Sequence, residues 1–470
     1  MELSPLETKK YIHKALSDER LRAAVDKATD SSVTSRQVLV DQIPYWEHLR
    51  YKTHSIKQKV IEHLDSYLQQ FESAAKENGI HVHWASDERE ARQVILDLAK
   101  KNDVKHVVKS KSLTTEEIHL NPFLQKNGIE ALETDLGEYI VQLMGQIPSH
   151  LIIPAMHLSR KDVGKLFHEK LGVEYTEDPP ELLRVARAKL REKFLSADMG
   201  ITGANFAIAE SGSIVLIENE SNIHHTISLP RIHVAMLGIE KLLPSLSDLP
   251  YFLKLLPVSA TSQKASTYVN IVGGPSGEKY GEGPKEVHFI LLDNGRSKIL
   301  KDPQLRETLF CIRCGACLNT CPIYQQIGGH AYGWVYMGPI GITLIPQYLG
   351  ESVGKYSPFL SSLCGACYEV CPMRINIPHH LLKLRNNVVE KKKPLLVERV
   401  AMNIFSLLAK HPKLYRFATW FPGKLQMLLP KEQAFPAPGY TRERALGHFD
   451  SKGFRKRFYE MEGKNGNSAA

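Results

Sequence analysis

Along the first eighty residues, apolar positions repeat at near-helical spacing: Ile12, Leu16, Leu21, Ala24, Val25 and Ala28, then Val60, Ile61, Leu64, Leu68 and Phe71. Asn78-Gly79 supplies a C-terminal stop. These helices carry no chemistry of their own and are expected to serve packing or subunit contact. From Ile80 to about Gly295 the pattern changes, and short apolar runs alternate with amphipathic segments. Strands are predicted at Ile80–Trp84, Val104–Val108, Leu151–Ile153, Phe206–Ala209, Ile214–Ile217, Ile232–Leu237 and Val287–Leu292. A helix is predicted over Glu88–Ala99, with Ala91, Val94, Ile95 and Leu98 on one face. This alternation predicts a mostly parallel sheet with helices packed on it. Ligands of such sheets gather at loops leaving the carboxyl ends of strands.

Two of those loops combine small, polar and charged residues. Val107–Glu117 runs from a strand into a helix, with Lys109, Ser110, Lys111 and Ser112 ahead of a capping box formed by Thr114 and Glu117. Free amides and lysines there suit a phosphate or carboxylate. Gly200–Asn205 is followed by Ala209-Glu210-Ser211-Gly212-Ser213, a tight turn between two strands that would present Glu210. Plain turn chemistry also accounts for both. Gly273–Gly277 is a flexible surface loop, and there is no Walker motif and no G-x-G-x-x-G after a strand.

Composition adds bounds. At 470 residues and 53.0 kDa the chain has room for about three domains. Hydrophobic content of 43% and charged content of 24% describe an ordinary globular protein. No run approaches the roughly eighteen apolar residues of a transmembrane helix, and the start MELSPLETKK has no apolar signal core. The net charge of +9 is concentrated at the end, where Lys391–Ala470 holds 16 Lys/Arg against 6 Asp/Glu. Within it, Ile404–Leu408, Tyr415, Phe417, Trp420 and Phe421 supply apolar surface, while Pro412 and Pro422 should break helices. A solvated surface, an acidic partner and peripheral contact with an anionic membrane all fit this region. Nucleic acid is not expected as a partner, because basic charge is only the electrostatic part of such a site.

The chemistry is concentrated in cysteine. Cys311-Ile-Arg-Cys314-Gly-Ala-Cys317-Leu-Asn-Thr-Cys321-Pro322 matches the C-x2-C-x2-C-x3-C-P run of two-cluster ferredoxins. After a 42-residue spacer comes Cys364-Gly-Ala-Cys367-Tyr-Glu-Val-Cys371-Pro372, and the two runs hold all 7 cysteines. A zinc site on two C-x2-C pairs would leave Cys317, Cys321 and Cys371 idle in ferredoxin register. Two iron–sulfur clusters of the 4Fe-4S type are therefore expected. The crossover of such modules assigns Cys311, Cys314, Cys317 and Cys371 to one cluster and Cys321, Cys364 and Cys367 to the other. The second set is one thiolate short, and Ser361 stands where a fourth would fall. A three-iron cluster, a serine- or solvent-ligated iron and a labile iron remain open, and Ser361 is also readable as an ordinary loop serine. Pro322 and Pro372 suit first turns of helices. The spacer, with Gly328-Gly329-His330, Gly333-Trp334 and Gly338-Pro339-Ile340-Gly341, is expected to fold over and shield the clusters. Thiolates in cluster motifs need a reducing compartment, so the cytoplasm is the expected location.

Adjacent His224 and His225 would point to opposite faces of a strand and so make a poor metal pair. His157, His330 and His379-His380 have no ligand spacing.

Lys109–Leu113, Glu133-Thr-Asp-Leu-Gly-Glu138, Gly200-Ile-Thr-Gly203, Ala209–Ser213 and the two cysteine runs, taken together, resemble the lactate utilization protein B family over nearly the whole chain. The resemblance implies an N-terminal helical region (1–70), an α/β lactate-utilization domain (71–300) similar to sugar-phosphate isomerases and CoA-transferases, a 4Fe-4S ferredoxin-type domain (301–390) and a basic C-terminal region (391–470). It also implies a part in oxidising L-lactate to pyruvate beside two companion proteins of the same operon. One companion resembles cysteine-rich heterodisulfide-reductase-like proteins and the other carries a related lactate-utilization domain. The expected role is electron transfer, with the acceptor left open. Two alternatives stand beside it. In one, the α/β domain is itself catalytic, Lys111 holding a carboxylate and Glu210 acting as base. In the other, the clusters are structural or sensory and the basic tail contacts nucleic acid or membrane.

Overall fold

The computed structural model describes residues 5–276, 283–391, 396–425 and 457–462. The chain forms two compact units, 1–388 and 389–470.

In the first unit four helices lead the chain: Pro5–Ser17, Glu19–Asp41, Trp46–Glu62 and Leu64–Glu77. Asp18 starts the second by accepting the Leu21 N–H at 3.0 Å. The fourth buries Leu64, Leu68, Phe71 and Ala75. It ends at Asn78, with Gly79 left-handed at φ 78°, where the dipeptide predicted a stop.

Six strands follow the expected alternation: β1 (His81–Ala85), β2 (His106–Lys109), β3 (Glu130–Glu133), β4 (Met199–Thr202), β7 (Ile232–Gly238) and β10 (Glu286–Leu292). Every pairing among them is parallel, in the order β1-β10-β7-β4-β2-β3. Helices such as Glu88–Lys101 cover the faces, so β7 is buried along its whole length. Gly200 in β4 permits one close approach, since a Cβ there would lie 1.9 Å from the Thr226 carbonyl of helix Asn222–Ser228. A second sheet, β8 (Leu242–Leu243), β5 (Phe206–Ile208), β6 (Ser213–Glu218) and β9 (Tyr268–Val272), packs beside the first.

Several local expectations are corrected. Leu151–Ile153 is not a strand. Its Ile152 and Ile153 N–H groups both donate to His150 Nδ1 at 3.1 Å, and Pro154 ends the run. Helix Leu113–Glu117 is capped by Ser112, whose hydroxyl accepts from the Thr115 N–H, rather than by Thr114, because Glu117 is drawn into a buried ion pair. His224 and His225 lie on a helix, not a strand. Their Nδ1 atoms face Asn270 and the Ser221 carbonyl. Pro322 opens helix Pro322–Ile327 as expected, but Pro372 sits in a turn. Pro412 stands at the start of helix Pro412–Leu425, where its missing N–H costs nothing, and Pro422 lies inside that helix. Of the Gly273–Gly277 loop, Gly277 lies outside the described residues, as do Lys392, Lys393, Arg455 and Lys456.

The opening helices do more than pack. Arg50 Nε donates to the Cys371 carbonyl at 3.0 Å, Arg36 Nη2 to the Val370 carbonyl at 3.0 Å, and His54 Nδ1 lies 2.8 Å from the Met373 carbonyl. They clamp the second cysteine run. From the spacer, Tyr324 OH reaches the Ser149 carbonyl at 2.6 Å and His330 Nε2 the Ile147 carbonyl at 2.7 Å, tying the cysteine region to the α/β domain.

Candidate metal centre and adjoining cavity

The structure gathers the cysteines in two neighbouring groups. Cys311, Cys314, Cys317 and Cys371 line one small cavity, closed by Leu151, Ile340, Met373, Ile375 and Ile377. Cys314, Cys317 and Cys371 are buried. Burial, with Cys371 as the next cause, pushes the Cys314 thiol up to about 12, and burial raises Cys371 to about 11 against the Ile375 N–H that favours its thiolate. Three buried thiols that resist ionising beside one another, Cys314, Cys317 and Cys371, call for a cation among them. Backbone amides serve the sulfurs: Arg313 N donates to Cys311 Sγ and Ile375 N to Cys371 Sγ, each at 3.4 Å. Sulfur-only donors, apolar walls and amide hydrogen bonds to sulfur fit an iron–sulfur cluster.

Cys321, Cys364 and Cys367 form the other group. Burial raises Cys367 to about 12, with Cys321 and Cys364 the next causes, and Cys364 is also among the groups acting on Cys321. Cys364 is exposed, so this group reaches the surface. The Cys367 thiol is near enough to act on Cys317 of the first group. Ser361 Oγ accepts the Leu363 N–H at 3.1 Å, and Arg385 Nη2 donates to the Ser361 carbonyl at 2.9 Å. The hydroxyl thus has a loop role, with Leu363 in the left-handed region at φ 57°.

A larger cavity of about 560 Å³ opens beside the first group. It sits where strand order reverses: β2 pairs with β3 on one side and β4 on the other, and the loops leaving β2 and β4 flank the opening. Gly203 lets those loops touch, since a Cβ there would lie 2.6 Å from Ser112 Oγ. Leu151 and Ile312 line both this cavity and the thiol-lined one.

Of the loop residues singled out in the sequence, Ser110, Lys111 and Ser112 line the cavity. Lys109 does not. Its ammonium is buried against Glu133 at 2.7 Å and Glu116 at 3.0 Å. Burial works to lower its pKa, but those carboxylates outweigh it and hold the lysine charged. Lys111 Nζ donates to the Ile152 carbonyl at 2.6 Å. Glu210 is absent from the cavity; its carboxylate accepts the Leu246 N–H, and its turn packs on helix Leu64–Glu77, where a Cβ on Gly212 would lie 2.1 Å from Ala75 N. Lys111 and Glu210 are therefore not brought together as acid–base partners.

Several residues that sequence reasoning did not single out complete the region. Arg296 is fully buried between Glu117, to which both terminal guanidinium nitrogens donate at 2.9 Å, and Glu240, to which Nε donates at 2.5 Å. Tyr336 OH donates to Glu117 at 2.8 Å. Lys57 Nζ donates to the Glu240 and Leu242 carbonyls, and burial lowers its pKa to about 7. Arg313 stacks over Tyr336 at 4.4 Å, and its Nη2 lies 3.7 Å from Glu240. These charges converge from positions 57, 117, 240, 296 and 313, and no local motif announces them. His157 and His330, unconnected in sequence, meet with ring centroids 4.7 Å apart. Among the described residues no group of three or more His, Cys, Asp or Glu is arranged to hold a single metal ion, and no helix is long and apolar enough to cross a membrane.

Comparison with known proteins agrees with this layout. Residues 68–292 match the LUD domain, 307–375 the 4Fe-4S dicluster domain, and 382–462 the lactate utilisation protein B C-terminal family. Proteins named Lactate utilization protein B from Bacillus cereus (strain AH820) and Bacillus thuringiensis (strain Al Hakam) are each 42% identical over 420 residues, covering 89% of this chain and 88% of theirs. A solved DUF162 family protein from Deinococcus radiodurans aligns over 49% of this chain and 98% of its own at 14% identity, with a TM-score of 0.28.

Proposed function

The chain belongs to the lactate utilization protein B family, and from that premise we propose that it is an electron-transfer subunit serving L-lactate oxidation to pyruvate beside companion proteins of the same operon. One observation carries the proposal: a cysteine quartet with three of its four members buried and a surface-reaching trio lie side by side, with Cys317 and Cys367 as the neighbouring edge. We assign Cys311, Cys314, Cys317 and Cys371 to one cluster and Cys321, Cys364 and Cys367 to the other, the latter with a non-cysteine fourth position. When bound, the clusters supply one-electron chemistry. The residues of this chain do the rest. Arg36 and Arg50 hold the Val370–Cys371 turn, amides of Arg313 and Ile375 support the sulfurs, and Leu151, Ile340 and Ile377 keep water from the quartet. The exposed Cys364 edge is the port to an external partner. An anaerobic redox titration followed by EPR tests this. Two reversible signals of unlike potential are expected, and colourless protein that holds zinc or no metal overturns it.

We also assign helices Leu396–Lys410 and Pro412–Leu425 to docking. Val397 is 78% exposed and Leu396 72%, with Ile404 and Phe405 also exposed on a helix that ends at Lys410. Apolar groups left open among basic ones suit a companion protein.

A further inference from the structure

The 560 Å³ cavity has a polarity that the electron-transfer reading does not use. At one end lie Lys241 and Arg313. Lys241 makes no hydrogen bond or ion pair among the described residues and is half-buried on the cavity wall. Arg313 is 7% exposed, and its Nε and Nη1 have no hydrogen-bond partner. The buried Ser110 hydroxyl, on the same wall, has none either. Buried polar groups are nearly always satisfied, so the orphaned Arg313 and Ser110 atoms around one space, with the unpaired Lys241 ammonium beside them, point to something that fills it. Glu240, already paired with Arg296, and Cys311 lie near both cations and balance part of their charge. Their place on the cavity wall is left for a further anion.

At another part of the wall stand Asp135 and Glu220, near enough for Asp135 to help raise the Glu220 pKa after burial itself. Carboxylates there would accept from hydroxyl or amino groups. Leu136, Leu216 and Leu256 supply apolar wall. Size decides further: at the ~30 Å³ share of a water molecule, 560 Å³ has room for roughly nineteen waters, about three times the six heavy atoms of a three-carbon hydroxy acid. Ligand cavities of this volume at strand-order reversals are the usual binding places of open α/β sheets.

We infer that this cavity binds an organic anion larger than lactate, its carboxylate or phosphate on Lys241 and Arg313 and its hydroxyl- or amino-bearing end toward Asp135 and Glu220. Leu151 and Ile312 make the wall between that ligand and the quartet, so the bound anion lies against the first cluster. This placement rests on the cluster assignment above, while the binding itself does not.

The test uses the full chain, purified anaerobically with its clusters, and titrates inorganic phosphate, pyruvate, gluconate and AMP by calorimetry, with EPR of the reduced protein recorded alongside. The carboxylate and phosphate arms identify which anionic group is preferred. Gluconate or AMP should bind more tightly than phosphate or pyruvate and shift the signal of the first cluster. Lys241→Gln should weaken binding on the order of ten- to a hundredfold, the worth of one hydrogen bond to a charged group, with iron content unchanged. Ala260→Phe, which fills the space without touching a charge, should abolish it and covers the case in which Lys241→Gln does not fold. Failure of every probe to bind, binding of pyruvate alone, or unchanged affinity in both variants overturns the inference. Normal clusters without ligand binding leave the electron-transfer proposal standing, whereas binding by protein that holds no iron sinks that proposal and keeps the site.

Discussion

Arg296 and Glu117, 179 residues apart, form a doubly hydrogen-bonded ion pair with both side chains fully shielded from water. Glu117 ends the helix after β2, and Arg296 follows β10. Tyr336 of the spacer between the cysteine runs adds its hydroxyl to the same carboxylate. The α/β sheet and the cysteine region are thus fastened at one point of buried charge. Removing one partner leaves the other charge uncompensated, which costs about 3–5 kcal/mol. Arg296→Met should lower the denaturation free energy by about that much in guanidinium titration, and Tyr336→Phe by about 1 kcal/mol. Equal stability of Arg296→Met and wild type would show that the pair contributes nothing.

The two cysteine groups differ in burial, and that difference should be visible in metal content. Cys314→Ala, at a buried member of the quartet, should remove one cluster's iron and with it growth on lactate. Cys364→Ala, at the exposed edge, should remove the other signal. Iron and sulfide assays with EPR separate the cases, and a loss of both signals together in each variant would argue against two separate sites.

Stability should fall on mild acidification. His150 is fully buried, its Nε2 faces Asn319 Oδ1 at 3.1 Å, and burial, then Lys111, lower its pKa to about 3. The unfolded chain takes up a proton near pH 6.5, and the folded one does not until about 3, so the unfolded state binds more protons throughout that window. The stabilisation is complete above pH 6.5 and is lost as pH falls. Between pH 6.5 and 5 the loss is about 2 kcal/mol. Urea titrations at the two pH values should show it, with a smaller difference in His150→Asn.

Truncation after residue 390 removes the basic C-terminal unit while leaving the cysteines. The shortened chain should retain its iron and lose capture of the companion proteins in pulldown. Vesicle flotation on anionic lipid, run with both forms, reports the membrane alternative. Equal flotation of both forms removes it.

Gly212, at φ 61°, has no room for a side chain against Ala75. Gly212→Ala should destabilise the chain by about 1–3 kcal/mol through backbone strain and overpacking, measured as a lowered denaturation midpoint. An unchanged midpoint would mean that the turn can move off its helix.

Periodicity located β1, β2, β5, β6, β7 and β10 and the helix at Glu88, because each carries its apolar pattern in a contiguous run. Strands β3, β4, β8 and β9 went unseen. They are short, or, like Met199–Thr202, owe their strand state to neighbours on both sides rather than to their own composition. The cysteine spacing named its chemistry outright, since ligand identity and loop length are local facts. What the chain could not disclose is distance across the fold. Lys109 looked like a ligand-binding lysine until Glu133 and Glu116 claimed it, and Glu210 like a base until its turn docked on a helix far from the cavity. Lys241 and Arg313 drew no notice at all, because an orphaned cation is a property of what surrounds it. Sequence alone determined the cofactor type and the α/β plan, while tertiary packing decided which charges neutralise one another and which are left facing open space beside the cysteine quartet.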